Sequence, residues 1–292
     1  MIRVGILGLG KTGREIAKVL LEQEDIMLVS AVVSPGSEKC GKDLGDILSC
    51  GKTGIEIEGS EKLEQIIFKT KPDVVVDFST PSAALRNARI FSKMKVNIVI
   101  GTTGFSRLAL GKLLVMTHKY HNGIVYVPNI TLGVNVLMLI TNLAANILNN
   151  YDFQITEIHH KHKKDSPSGT ALKIKREIEK GLISSGAEFL SGSIPITSVR
   201  AGGVVGKHEV MIIGEDDRIE ISHETLSRRA FALGAIRAIK FIEGKTGYFE
   251  MNDVLNLKKV LGDYLDNQEH APGKRLVHKS SAFSEPGEIF AL

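Results

Sequence analysis

The sequence predicts an α/β protein, with a parallel sheet in the N-terminal half and a second, α+β domain carrying an open mixed sheet. Three observations predict it. Short apolar runs alternate with helix-spaced stretches through the first half. A glycine-rich turn joins the first apolar run to the first helical stretch. After residue 130 strands follow one another without that alternation, behind a long apolar helix.

Residues 2–7 are an apolar run of the kind that forms a buried strand. Gly8-Leu9-Gly10-Lys11-Thr12-Gly13 follows, and residues 14–21 have helical spacing with Ile16, Ala17, Leu20 and Leu21 on one face. Strand, G-x-G-x-x-G and helix in this order form the dinucleotide-binding turn of a Rossmann-type sheet. Gly8 permits the tight turn, Gly10 lets backbone approach a pyrophosphate, and Gly13 lets helix and strand pack closely. The plain alternative is a structural glycine turn. Further strands are expected at 26–33, 74–78, 96–100 and 124–127, with helices near 61–69, 82–94 and 106–119.

Ligands of such sheets bind beyond the carboxyl ends of the strands. Those ends carry Phe78-Ser79-Thr80, Gly101-Thr102-Thr103-Gly104 and Pro128-Asn129-Ile130. Small and hydroxylated residues recur there, although each group alone is ordinary turn chemistry. An NAD-preferring site usually ends its second strand with Asp or Glu. Here Val33-Ser34-Pro35 stands in that place, with no carboxylate before Glu38, and Lys11 and Lys39 lie in the two adjoining loops. The pattern favours NADPH, or use of both NADPH and NADH.

In the second half, residues 133–149 predict a long helix whose apolar residues wrap much of its circumference, as in a helix buried between layers. Strands are expected at 195–200, 208–213 and 218–223, the last two joined as a hairpin, with a helix over 227–242. The domain boundaries expected are 1–129, completed by about 241–257, then 130–240. From 258 to 292 the composition predicts a poorly ordered extension.

The densest chemistry lies between Glu157 and Leu172, where six consecutive residues, His159 to Lys164, can carry positive charge. Strand-forming residues precede them; Pro167 then disfavours helix at Ser166, and Ser168 is a candidate N-cap for a helix starting near Thr170. Backbone N–H groups at that start, beside several cations, suit a carboxylate or phosphate. The bland alternative is a solvated basic loop. His159, His160 and His162 also raise the question of a metal, but no Cys or carboxylate completes a recognisable ligand spacing, so none is expected.

The 292 residues leave room for two cores, and 43% hydrophobic with 24% charged residues is ordinary for a globular chain. A net charge of +4 with dispersed basic residues speaks against a dedicated nucleic-acid binder. Cys40 and Cys50 supply no disulfide framework. With no signal peptide before the first strand and no apolar run long enough to cross a membrane, the expectation is a cytoplasmic protein.

With these pieces assembled, the chain resembles the 4-hydroxy-tetrahydrodipicolinate reductase (dihydrodipicolinate reductase) family. Residues 157–172 match that family's E-x-H-H-x-H-K-x-D-x-P-S-G-T-A-L nearly throughout. Similar blocks run at 77–79, 99–105, 129–135, 200–202, 205–208, 227–237 and 247–255. The resemblance implies reduction of a cyclic dicarboxylate by NADH or NADPH in lysine and diaminopimelate biosynthesis. It implies His159 and Lys163 as the proton-donating pair, and His160, Ser168, Gly169 and Thr170 as substrate contacts. It also implies a homotetramer. The glycine loop is one residue shorter than the family's usual form, and the chain between about 181 and Arg200 is also shorter. Two alternatives remain: a related NAD(P)-dependent oxidoreductase of another small amino or imino acid, and a non-catalytic nucleotide-binding sensor.

Overall fold

The structure is a computed structural model, and it describes residues 1–186 and 193–269. Seven strands form the first sheet: β1 (Ile2–Leu7), β2 (Ile26–Val33), β3 (Ile57–Gly59), β4 (Val74–Asp77), β5 (Asn97–Ile100), β6 (Gly123–Tyr126) and β11 (Gly247–Phe249). Their order is β11-β6-β5-β4-β1-β2-β3, and every pairing is parallel. All four residues of Val74-Val75-Val76-Asp77 are buried, as a central parallel strand covered on both faces requires. Helices α1 (Lys11–Leu21), α2 (Leu44–Leu48), α3 (Leu63–Thr70), α4 (Pro81–Lys93) and α5 (Arg107–Tyr120) connect these strands. Neither α2 nor β3 was foreseen in the sequence. At five and three residues they are too short to show a period.

The second sheet has the order β10-β9-β7-β8, built from β7 (Asp152–His159), β8 (Ile196–Arg200), β9 (Lys207–Ile213) and β10 (Arg218–Glu224). β7 pairs parallel with β8 and antiparallel with β9, and β9 with β10 forms the expected hairpin, so the sheet is mixed. Helices α6 (Leu132–Ile147) and α7 (Gly169–Ser184) cover one face, packing Val134, Leu137 and Met138 with Ile174 and Ile178 against Phe153, Ile155, Val210 and Ile212. Helix α8 (Arg229–Ile242) and β11 then return the chain to the first sheet, where Asn97 Nδ2 donates to the Ile242 carbonyl at 2.8 Å.

Two expectations change. Helix α6 is not buried between layers: Val136, Ile140, Leu143 and Ile147 form an exposed apolar row opposite its packed face. A wholly uncharged helix sequence conceals which side is packed. Both sheets lie in one compact unit, Met1–Val254. Leu255–Leu292 is the second unit, and where a poorly ordered extension was expected it carries α10 (Leu257–Glu269). A five-residue helix, α9 (Met251–Leu255), precedes it. Residues 270–292, and part of the shortened stretch before Arg200, lie outside the described residues.

The first turn of the Rossmann sheet is held by contact. Gly8 has φ +87°, and a Cβ there would meet the Phe78 carbonyl; a Cβ on Gly13 would overlap the Gly8 carbonyl oxygen. Gly13→Ala must therefore push α1 off β1, at an expected cost of about 1–3 kcal/mol. Thermal unfolding should show a lower midpoint, and titration a weaker affinity for nucleotide.

Candidate active site

Helix α1 begins where β1 ends, with Gly10 at its N-cap and no side chain satisfying its first N–H groups. No acidic residue lies in the first turn, and a Cβ on Gly10 would meet nothing within 4 Å. Open space before unpaired donors at a helix start suits a pyrophosphate. Gly8, Leu9, Gly10, Ser34, Phe78 and Ser79 line a cavity of about 330 Å³ there. Lys11 and Thr12 stand in the first turn beside it, with Gly13 buried against the strand. Lys39 also lines this cavity, its Nζ donating to the Leu9 carbonyl at 2.9 Å, so the second-strand loop is tied to the glycine loop by a cation.

Buried Asp77 braces the next loop. Its Oδ1 accepts from the Ser79 N–H at 2.8 Å and the Ser79 hydroxyl at 2.5 Å, while Asn87 Nδ2 donates to Oδ2 at 2.9 Å. Burial pushes the Asp77 carboxyl up, against the pull of those donors. Gly101 gives room to the Phe78 ring, and Thr102 is buried with its hydroxyl directed at the Asp77 and Ser79 carbonyls, while Thr103 is exposed. Pro128 and Asn129 follow β6, but Ile130 is buried and its carbonyl packs on Gly234 of α8. Ile130 therefore sits beneath the loop rather than in the cavity.

The basic motif grows out of β7. Alternation places Phe153, Ile155, Glu157 and His159 on one face: the first two in the core, the last two where that face opens at the strand's carboxyl end. Register brings Ser198 and His208 opposite Glu157, and Arg200 opposite His159. The fully buried Glu157 carboxylate accepts through Oε1 from Ser168 N–H (3.0 Å), Ser198 Oγ (2.8 Å) and Arg200 Nη2 (2.7 Å). Its Oε2 faces His159 Nδ1 at 2.6 Å, and neither of these atoms has another partner. The His159 ring meets His208 edge to face, with centroids 5.1 Å apart.

Burial alone would raise the Glu157 carboxyl, but Arg200, Ser198 and Ser168 outweigh it and bring it down to about 2. Burial pushes the His159 imidazole down; Glu157 pulls it back up, and Lys163 and Arg200 push it further down. His208 falls to about 3, chiefly through burial and then through His159. Glu157, His159 and His208 offer ligand atoms within 4.8 Å of one another, a grouping that spacing along the chain does not display. Arg200 and His159 already take up the two carboxylate oxygens, which makes this an ion-pair and proton-holding network.

Lys163 Nζ lies 2.9 Å from Asp165 Oδ1 and remains partly exposed, while His160 stands half-exposed beside His162. Ser168 is the N-cap of α7, its Oγ accepting from Ala171 N–H at 3.1 Å and facing His208 Nε2 at 3.3 Å. Its hydroxyl thus serves the helix start. Gly169 opens that helix toward free space, and the Thr170 hydroxyl donates to Asn129 Oδ1 at 2.7 Å, joining the basic motif to the loop after β6. Arg200, His208 and Ser198 were not assigned roles in the sequence, and neither was Glu157. The alternation in Phe153-x-Ile155-x-Glu157-x-His159 was the available signal: it sets a carboxylate two residues from the histidine on an otherwise apolar face.

A parallel sheet with a glycine turn at a helix start, in one chain with a cationic helix start on a second sheet, is the architecture of a pyridine-nucleotide oxidoreductase. Family models agree with that class: "Dihydrodipicolinate reductase, N-terminus" matches residues 2–130 and "Dihydrodipicolinate reductase, C-terminus" residues 133–255. The chain belongs to the dihydrodipicolinate reductase family. It is 42% identical over 271 residues to the 4-hydroxy-tetrahydrodipicolinate reductase of Methanopyrus kandleri, covering 87% of this chain and 97% of that one. Its identity to the Methanocaldococcus jannaschii enzyme of the same name is 37% over 272 residues, covering 89% and 99%. A dipicolinate-bound dihydrodipicolinate reductase from Paenisporosarcina sp. TG-14 superposes with a TM-score of 0.68 at 30% identity, covering 86% of this chain and 97% of that one.

The histidine shifts carry a pH dependence. A histidine whose folded pKa is depressed is protonated in the unfolded chain first, so it stabilises the fold above its ordinary value and progressively less below. For His208 the window runs from its ordinary 6.5 down to about 3. Melting temperature should fall as pH drops from 7 toward 4, and His208→Gln should flatten that slope while lowering the midpoint at pH 7.

Proposed function

We propose that the protein reduces 4-hydroxy-tetrahydrodipicolinate to tetrahydrodipicolinate with NADPH or NADH, in lysine and diaminopimelate biosynthesis. The observation that carries this reading is the pairing of a buried Glu157–His159 unit with a cationic helix start, in a chain of this family. A reduced nicotinamide bound over the glycine turn supplies the hydride. The α1 N-terminus and Gly10 receive the pyrophosphate, and the braced Phe78-Ser79 loop walls the cavity. The α7 N-terminus, with Gly169, Thr170 and His160, grips the substrate carboxylates. Water leaves the hydroxylated ring, hydride arrives at a ring carbon, and the conjugated system takes up the electron pair. His159, with Lys163 beside it, delivers the proton that quenches this charge.

NADPH is the preferred donor in this reading. Ser34 and Lys39 line the cavity where an NAD site would hold a carboxylate, and a lysine there favours a 2′-phosphate. A second copy of the chain covers the outward face of the second sheet, where Ile158, Val199, Met211 and Ile213 lie among Lys207, Glu209 and Glu220 without a covering layer. Sedimentation at micromolar concentration checks this: an oligomer is expected, and Val199→Glu should dissociate it.

Oxidation of NADPH and NADH, followed as loss of reduced-nicotinamide absorbance with substrate made in situ by its synthase, tests the activity. Substrate-dependent oxidation is expected, faster with NADPH. Lys39→Ala should raise KM for NADPH and leave that for NADH within about twofold. Lys163→Ala should lower turnover by roughly 10²-fold or more while cofactor affinity stays unchanged. Unaltered turnover in that variant removes Lys163 from the chemistry.

A further inference from the structure

Glu157 is a carboxylate with no exposure at all, set among the cations of the proposed anion site. A buried negative charge there weakens the hold on a dicarboxylate and costs desolvation. Its geometry supplies a reason to keep it.

We propose that Glu157 is the positioning residue for proton donation: its Oε2 holds His159 by Nδ1, leaving Nε2 to carry the transferred proton, while its Oε1 anchors the start of the anion-gripping helix. Oε1 takes the Ser168 N–H at 3.0 Å, and Ser168 is the N-cap of α7. Oε2 and His159 Nδ1, 2.6 Å apart, have no partners but each other. One carboxyl group therefore fixes the distance between the donor and the substrate grip. Nε2, on the far side of the ring, faces the backbone at Gly206, where a Cβ would stand 3.0 Å away. A side chain at Gly206 would have to displace the ring slightly.

The groups facing His159 are Glu157 on its own strand, Lys163 in the following loop, Arg200 on β8 and His208 on β9. Burial opposes protonation of the imidazole, and Lys163 and Arg200 oppose it further; Glu157 alone favours it. Without that carboxylate nothing would offset burial and the cations, and the imidazole would hold a proton still less readily. The carboxylate thus eases protonation of the ring for donation through Nε2. Charge and orientation come from the same atom.

This inference rests on the reductase reading for its kinetic arm only. The test uses the full chain with Glu157→Gln, whose amide oxygen can still accept from Ser168 N–H while the charge opposite His159 is gone. Turnover should fall by roughly 10²-fold, with KM for the dicarboxylate within about threefold. The pH at which turnover falls on the alkaline side should move down by at least one unit. Independently, C2-hydrogen exchange of each histidine, read by mass spectrometry in the absence of substrate, should show the His159 midpoint lower in the variant by a similar amount. An unchanged His159 midpoint, or a loss expressed only in KM, overturns the proposal. Should that variant not fold, Glu157→Asp takes its place: the shorter carboxylate withdraws from Nδ1, the His159 midpoint should fall, and an unchanged midpoint overturns the proposal. Absence of turnover in the wild-type protein would defeat the reductase reading, while the exchange midpoints would still report on Glu157.

Discussion

A carboxylate sealed inside a sheet sets the terms for everything around it. Glu157 has no solvent, so its charge has to be met by protein donors from two other segments, Ser198 and Arg200 on β8 and Ser168 before α7, and from His159 on its own strand. A one-residue slip of β7 would turn Glu157 and His159 outward and bring Ile158 in, leaving Arg200 without its partner. The register that satisfies the charge is thus also the one that forms the site. Breaking such a buried pair from one side typically costs about 3–5 kcal/mol, so the network resists exchange of single members.

The two sheets meet the ligands through the same device used twice. On the first sheet, β1 ends and α1 begins at Gly10 with its leading N–H groups unclaimed by side chains. On the second, β7 ends, a basic turn follows, and α7 begins at Ser168. Each helix start offers donors and a positive dipole end to an anion. The difference lies in the cap: Gly10 leaves the first donors open, whereas Ser168 uses its hydroxyl on the Ala171 N–H and its own N–H on Glu157. A bare start suits a pyrophosphate that backbone must approach closely. A braced start would suit a smaller anion held at a fixed distance from His159. The Thr170–Asn129 hydrogen bond then ties the second device to the loop that follows β6 of the first sheet.

Much of this was legible because it is local. The Val74–Asp77 strand, the glycine turn and the Ser168 cap each show in a few consecutive residues, and the structure places them within a residue or so of the expected positions. The rest of the network around Glu157 was not legible, because Ser198, Arg200 and His208 are 41 to 51 residues from Glu157 in the chain and meet it only through β7–β8 and β7–β9 pairing. Helix α6 misled for another reason. Its sequence has no charge to mark a solvent side, so an apolar row at 136, 140, 143 and 147 looked the same as its packed row until α7 and the second sheet were in place. Ile130 followed the cofactor loop in sequence and yet turned inward, since Gly234 of α8 closes over its carbonyl.

The electrostatic balance of the site favours a doubly charged substrate for a reason beyond attraction. Burial, Lys163 and Arg200 all push the His159 imidazole toward its neutral form, and Glu157 offsets only part of that pressure. Two carboxylates arriving on the α7 start and the basic turn would screen those cations and add negative charge beside the ring, raising the imidazole's affinity for a proton. Binding and protonation are then linked in sign: each makes the other more favourable, by the same free energy. Under the proposed reading, His159 would then be most fully charged with the dianion in place and least charged in the free enzyme. A substrate lacking one carboxylate would lose grip and proton together, so discrimination against monocarboxylates would lie in the protonation state of His159 as well as in contact with the helix start.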